Sequence, residues 1–467
     1  MTKVSVIVPV YNPGERFDAC ARSLLGQSLP PGDCELVFVD DGSTDGTGER
    51  LDALAAQHTH VHVRHIPNSG WPGRPRNVGL QLAAGEYVFF ADNDDWLGDE
   101  ALERLHAAAQ ADGADIVIGR VVGHGKTVPR GFFKRDRRGI AFDSPDLLRL
   151  LTPHRLFRRS LLDDHGIRFP EGRRRLEDHV AGVHAYFHAR RISVLADYPY
   201  YHWVGHGTDA NASLGGFDPA AYYTDLREVL DVVEAHTEPG PWRDALMAHW
   251  YRGKMLGRVG GRGWLRGDGE HRRAVYEEVR RLALERFGPG AADGFAYNRR
   301  LRARVLREGS FEELEALAAV EDGVRLRARV AGAAGGELRL RGRVSGLPAG
   351  ALGELDRASL TVLLRAHGDR GEYALPARTQ ARAAGADVEL ESVTALARAA
   401  LPPATWDVVA RASVAGFTAA DRLRVRLETA PDGRARLGRS VLPPGVRERG
   451  VRGAARVRDR VARLRRG

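Results

Sequence analysis

The chain has few cysteines, almost no lysine and no long apolar run. Cys20 and Cys34 are its only cysteines, so no disulfide framework is expected, and two thiols in a domain of cytosolic character read as reduced packing residues. Lysine occurs only at Lys3, Lys126, Lys134 and Lys254, which makes 66 of the 70 cationic side chains arginine. That bias, with abundant Ala and Gly, fits a GC-rich coding sequence as well as any function. No stretch of about eighteen apolar residues occurs, so no transmembrane helix is expected. Met-Thr-Lys runs straight into the strand-like Val4–Val8, so no signal peptide is expected and the reading is cytoplasmic. There is no Gly-x-Gly-x-x-Gly after the first strand, which counts against a dinucleotide-binding domain, and no Walker loop.

What is present is globular in character. With 467 residues, 43% hydrophobic and 28% charged, the chain can bury two or three cores. The net charge of +9 is concentrated at one end: residues 446–467 carry nine arginines against Glu448 and Asp459. The remainder is close to neutral, so nucleic-acid binding is not implied.

Strand and helix alternate over the first 120 residues, which predicts an α/β domain with a mostly parallel sheet covered on both faces. Strands are expected at Lys3–Val8, Glu35–Val39, Val61–Ile66, Glu86–Phe90 and Asp115–Ile118. Helices are expected around Ala19–Leu25, after a cap at Asp45, over Arg76–Ala84 with Gly85 at C′, and over Glu100–Gln110. A basic, irregular stretch follows, with one clear helix near His179–Arg190. Helical spacing returns between Asp218 and Ala319, including Val275, Val279, Leu282 and Leu284, with breaks at Gly260–Gly263 and Gly288–Gly290. Strict alternation in Val324–Val330 and Leu338–Val344 puts arginine on a wet face, as in an antiparallel β-sandwich. The expected boundaries are an α/β domain 1–217, a helical linker 218–319, a β-sandwich 320–445 and a basic C-terminal helix 446–467.

Four polar clusters fall at carboxyl ends of the predicted strands, where ligands bind in open parallel sheets. They are Pro9–Asn12, Asp40–Gly46, Asn68–Asn77 and Asp92–Asp95. Each alone is weak, since an Asp-Asp pair at a strand end is commonly a turn or cap. Together they suit a sugar-diphosphate donor. Carboxylates can hold Mn²⁺ or Mg²⁺ against a leaving diphosphate, Arg76 can meet a ribose or phosphate, and Asp41 and Asn68 can hydrogen-bond a pyrimidine edge.

These runs resemble the inverting glycosyltransferase family 2, with its GT-A fold. The match lies in Val6–Asn12, Asp40–Asp45, Asn68–Gly70, Arg76–Gly79 and Gly85–Asp95. The resemblance implies that Pro9, Asp41, Asn68 and Arg76 contact the nucleotide, Asp92 the nucleotide sugar, and that Asp94, with Asp92, meets the metal. It also implies a general base in an acidic pair at a helix start, which Glu177-Asp178 fits with Asp178 as the base; capping of that helix is the alternative role. In the loop expected over the diphosphate, His206 stands where the family has arginine, and Ser213 supplies a hydroxyl.

The overall plan is similar to the wall teichoic acid glycosyltransferases of Gram-positive bacteria. That likeness implies a UDP-sugar donor, with N-acetylglucosamine or a similar hexose, and a glycan or polyol-phosphate acceptor. It also makes 1–217 the catalytic domain and the sandwich immunoglobulin-like, and implies homo-oligomers through the sandwich. The basic tail suits weak contact with an anionic membrane surface at the inner face of the plasma membrane. A GT-A-like nucleotidyltransferase and a catalytically inactive carbohydrate-binding protein are the alternatives; the first would need a Gly-rich basic loop after strand one, where Pro9–Gly14 stands instead.

Overall fold

The computed structural model describes residues 2–126, 128–205, 217–334, 337–366, 372–396, 404–429 and 435–439. The chain divides into two compact units, Met1–His249 and Trp250–Gly467.

The first unit is built on a mixed sheet of nine strands: β1 (Val4–Val10), β2 (Cys34–Asp40), β3 (Val61–His65), β4 (Tyr87–Phe90), β5 (Trp96–Leu97), β6 (Ile116–His124), β7 (Arg137–Ile140), β8 (Leu156–Arg158) and β9 (Ile192–Val204). The spatial order is β3-β2-β1-β4-β8-β6-β9-β5, with β7 also on β9. The β3, β2, β1 and β4 strands run parallel, β8 is antiparallel to both its neighbours, and β6 and β9 are parallel. Every residue of β1 and β2 is buried, as expected for central strands covered on two faces. The helices are α1 (Phe17–Leu25), α2 (Thr47–Gln57), α3 (Gly73–Leu82), α4 (Ala101–Asp112), α5 (Arg159–Asp164), α6 (Glu177–His188) and α7 (Pro219–Ala235). Cys20 and Cys34 are buried and unbridged.

Two local expectations are corrected. Gly85 is not a left-handed helix end, because α3 closes at Ala83 in extended geometry. Gly85 is small because its chain passes over β1, where a Cβ would lie 2.6 Å from the Ser5 backbone nitrogen. Its N–H donates to Ser5 Oγ at 2.8 Å. The cap position of α2 is Gly46, in left-handed geometry. Asp45 still serves that turn: one carboxylate oxygen accepts from Thr47 N–H at 3.1 Å and the other from Gly14 N–H at 3.0 Å.

Close packing of α3 on β1 explains another glycine. A Cβ on Gly79 would lie 2.3 Å from Ile7 Cγ2, and Ile7 is fully buried and β-branched, so it cannot swing aside. Gly79→Ala is expected to destabilise the protein by about 1–3 kcal/mol despite alanine's better helix propensity. A urea melt with an unchanged slope and a lower midpoint is the check; a more stable variant would refute the overpacking argument.

The second unit contains helices Gly269–Arg286, Tyr297–Glu308 and Phe311–Gly323, followed by two antiparallel sheets. Val275, Val279 and Leu282 are buried as expected, but Leu284 is 48% exposed, since a residue two on from Leu282 points to the opposite face of a helix. Gly261–Leu265 forms a short helix across the expected Gly260–Gly263 break. In strand Glu337–Ser345 Leu338, Leu340 and Val344 are buried while Arg339, Arg341 and Arg343 face out. Leu360, Val362, Trp406 and Val408 of the other sheet share their core, which makes the pair a sandwich. No helix among the described residues is long and apolar enough to cross a membrane.

Candidate active site

The carboxyl ends of β1, β2 and β4 and the start of α6 form one polar cleft. Its first two loops are zipped together by side chains. Asn12, with a positive φ of 43°, accepts from Thr44 N–H at 2.7 Å, while its own N–H donates to Ser43 Oγ at 3.1 Å. Pro9 closes β1 with its carbonyl accepting from Asn93 at 3.2 Å. This bond ties the first loop to the acidic run.

Asp41 organises the next loop. Its carboxylate accepts from Ser69 N–H at 2.8 Å and lies 2.9 Å from Ser69 Oγ, and its backbone carbonyl accepts from Asn68 Nδ2 at 2.8 Å. Gly42, at φ +75°, is needed there because a Cβ would lie 2.9 Å from the Asn68 nitrogen. Burial raises the Asp41 carboxyl above its ordinary value, against the lowering pull of Ser69. Asp41 and Asn68 are therefore brought together, as the sequence suggested.

The α3 run Arg76-Asn77-Val78-Gly79 has a structural task at almost every position. Asn77 clamps the backbone of Phe169, donating to its carbonyl at 2.8 Å and accepting from its N–H at 2.9 Å. Arg76 is 4% exposed. One guanidinium nitrogen donates to Asp92 Oδ1 at 2.9 Å and another to Glu177 Oε1 at 3.1 Å. Trp71 Nε1 completes the set, donating to Glu177 Oε2 at 3.1 Å. The guanidinium that the sequence offered to the nucleotide is thus committed to two carboxylates. It joins the acids at the end of β4 to those at the start of α6.

The acidic run itself is pinned to β9. Asp92 N–H donates to Tyr201 Oη at 3.0 Å, Tyr201 O–H donates to Asp95 Oδ2 at 2.7 Å, and Val204 N–H donates to Asp95 Oδ1 at 2.7 Å. His154, just before β8, places Nε2 3.0 Å from Asp92 Oδ2 and stacks on Tyr201 with ring centroids 4.1 Å apart. Burial alone would raise the Asp92 carboxyl, but His154 and Arg76 hold it well below the usual carboxylate range. Burial pushes the Asp95 carboxyl well above that range, and the charges of Asp92 and Asp94 add to the push. Burial also keeps His154 below the ordinary imidazole value, against the raising pull of Asp92, and its buried Nδ1 has no hydrogen-bond partner among the described residues.

This donor set fits a hard divalent cation. Carboxylate oxygens of Asp92 and Asp95 and a nitrogen of His154 lie within 4.8 Å of one another, and the charges of Asp92 and Asp94 both bear on Asp95, a repulsion that a cation relieves. His154, Tyr201 and Trp71 were not among the sequence-derived site residues. Tyr201 lies in the aromatic run Tyr198–Trp203 and Trp71 within the Asn68–Asn77 cluster, either of which could have flagged them; His154 lies in an irregular stretch with no pattern around it.

Glu177 and Asp178 open α6 behind Leu176, whose left-handed φ of 63° is costly for a branched side chain and typical of functional turns. Asp225 of α7 holds this turn, accepting from Arg175 N–H at 2.7 Å. Asp178 accepts from His179 N–H at 2.9 Å and borders a small cavity with Phe90, Phe157 and Phe169. His206 and Ser213 lie outside the described residues, as does the basic segment 446–467.

A family model described as glycosyl transferase family 2 matches residues 5–196, and one described as the glycosyl transferase TarS linker domain matches residues 219–318. Poly(ribitol-phosphate) beta-glucosyltransferase of Bacillus spizizenii is 34% identical over 235 residues, which is 50% of this chain and 37% of that protein. Poly(ribitol-phosphate) beta-N-acetylglucosaminyltransferase TarP of Staphylococcus aureus is 31% identical over 238 residues, 50% of this chain and 72% of that protein. The chain thus spans little more than a third of the Bacillus relative's length. The crystal structure of S. aureus TarS 1-349 in complex with UDP-GlcNAc superposes with a TM-score of 0.61 at 26% identity, covering 68% of this chain and 91% of that one. With these matches spanning the sheet, the cleft and the helices that follow, the chain belongs to glycosyl transferase family 2.

Proposed function

We propose that the chain is an inverting glycosyltransferase that moves N-acetylglucosamine or a similar hexose from a UDP-sugar to a hydroxyl of a polyol-phosphate polymer. Family membership supports the reaction class. The acceptor is supported by relatives named as poly(ribitol-phosphate) transferases, and the donor by a related structure that holds UDP-GlcNAc. The observation that carries the reading is Arg76 bonded to both Asp92 and Glu177, which makes donor-side and acceptor-side acids parts of one cleft.

In this reading Pro9, Asp41 and Asn68 line the nucleoside end, and Arg76 sets the charge and aim of Asp92 beside the sugar. Asp94, with Asp92, would hold Mn²⁺ or Mg²⁺, which when bound neutralises the charge of the departing diphosphate. Asp178 takes the proton from the acceptor hydroxyl on the face opposite the leaving group. Glu177, fixed by Arg76 and Trp71, positions the turn that presents Asp178. His206 and Ser213 would close over the diphosphate. Residues 1–217 would be the catalytic part, 218–319 the linker, 320–445 the oligomerising sandwich, and 446–467 a weak tether to an anionic membrane surface.

The test is to incubate the chain with Mn²⁺, poly(ribitol-phosphate) and either UDP-GlcNAc or UDP-glucose, reading UDP release and polymer mass together. Polymer-dependent UDP release with a matching mass gain, lost in Asp94→Ala, is expected. No mass gain with either donor would overturn the acceptor assignment, and unchanged transfer in Asp94→Ala would overturn the metal assignment.

A further inference from the structure

A second cluster of ligating side chains lies away from the cleft, at the far end of α6. His184 and His188 are four residues apart on this helix, a spacing that stacks two imidazoles on one face. The ring of His236, at the C-cap of α7, meets them, since α6 and α7 pack against each other. One ring nitrogen from each of the three lies within 4.8 Å of the others. All three rings are half-buried.

The orientation of these rings is set by their neighbours. His236 Nδ1 lies 2.9 Å from the Val232 carbonyl, which can only accept, so the proton is on Nδ1 and the Nε2 lone pair points into the cluster. A backbone carbonyl fixing one ring nitrogen so that the other can ligate is the recurring outer contact of metal-bound histidine. Phe187 stacks on the His236 ring at 4.8 Å and 11°, and His165 stacks on His188 at 3.9 Å and 18°, so both rings are clamped. His188 Nε2 and His236 Nε2 are 3.2 Å apart. Two nitrogens bound to one tetrahedral Zn²⁺ at about 2.0–2.1 Å stand about 3.3 Å apart, so this pair is already at ligand spacing. His184, with its ring 5.2 Å from that of His236, brings the third nitrogen within 4.8 Å of both.

We propose that His184, His188 and His236 form a binding site for a borderline divalent transition ion, Zn²⁺ foremost, with water in the fourth position. Imidazole ligands select zinc, nickel or copper over the oxygen-seeking Mg²⁺ and Mn²⁺, so the site differs in chemistry from the acidic run at the end of β4. The ion would staple the end of α6 to the end of α7. These helices also meet at the Leu176 turn, where Asp225 of α7 holds the Arg175 backbone. The site would thereby stiffen the element that presents Glu177 and Asp178.

The experiment uses the full chain stripped with chelator and titrated with Co²⁺ and then Zn²⁺, without nucleotide. One equivalent of Co²⁺ with visible ligand-field bands, displaced by Zn²⁺, and a saturable rise in melting temperature are expected. His184→Gln and His236→Gln are each expected to weaken binding at least about tenfold while their metal-free melting temperatures match the wild type. Bands of equal strength in both variants would move the ion to Asp92, Asp95 and His154 and overturn the proposal. So would the absence of any binding by the wild-type chain.

Discussion

Asp178→Asn is expected to lower the rate of sugar transfer by about 10²–10⁴-fold, the range a positioned base contributes, with little change in UDP-sugar affinity. The substitution keeps the size of the side chain and an oxygen that can accept from His179 N–H, so α6 should start as before. What it removes is the capacity to take a proton. Glu177→Gln should behave differently. Glu177 is tied to Arg76 and Trp71, so losing its charge disturbs the Arg76 bridge and should lower stability and donor affinity along with rate. The two variants separate a base from a positioning residue when kcat, KM and the melting temperature are measured together. If Asp178→Asn retains full transfer, the base assignment is lost and helix capping is the remaining role for that carboxylate.

The cleft was legible in the sequence because its pieces sit where hydrophobic runs stop. Val4–Val10, Cys34–Asp40 and Tyr87–Phe90 are buried strands, and in a parallel sheet their ends must converge at one edge. The sandwich was legible for the same kind of reason: arginine and leucine alternate in Glu337–Ser345, and period two needs no knowledge of tertiary partners. What could not be read were contacts between distant parts of the chain. The sequence offers Arg76 as a nucleotide contact, and its bond to Glu177, 101 residues away, is not foreseen beside it. His154 is 62 residues from Asp92 and sits in a segment without period. The thirteen-residue β9 was missed because Asp197 and Pro199 interrupt its pattern. The register shifts there, between Gly119/Arg120 and Arg120/Val121 on β6, show how the pairing absorbs the interruption.

Arg76→Met is expected to destabilise the first unit by about 3–5 kcal/mol, because removing one partner of a buried pair strands the others. The Arg76 side chain is 5% exposed and that of Glu177 is 11% exposed, so water cannot replace the lost guanidinium at Glu177. Asp92, at 32%, keeps His154 and some solvent and should account for less of the loss. Arg76→Lys should lie between, since an ammonium cannot span both carboxylates with the geometry of a planar fork. The double variant Arg76→Met with Glu177→Met should recover a large part of the loss, because it removes the stranded charge as well. The pH dependence gives an independent check. Asp92 is held below its ordinary value by His154 and Arg76 against the raising effect of burial. Its contribution is therefore fully present above the unfolded carboxylate value of about 3.9 and is lost as pH falls below it. The gap between wild type and Arg76→Met should accordingly stay constant from neutral pH down to about 5 and narrow at lower pH. Urea melts across that range would measure it. A gap below about 1 kcal/mol at neutral pH would place the Arg76 bridge among weak surface pairs, and a gap that widens on acidification would show that Asp92 is not the group it holds.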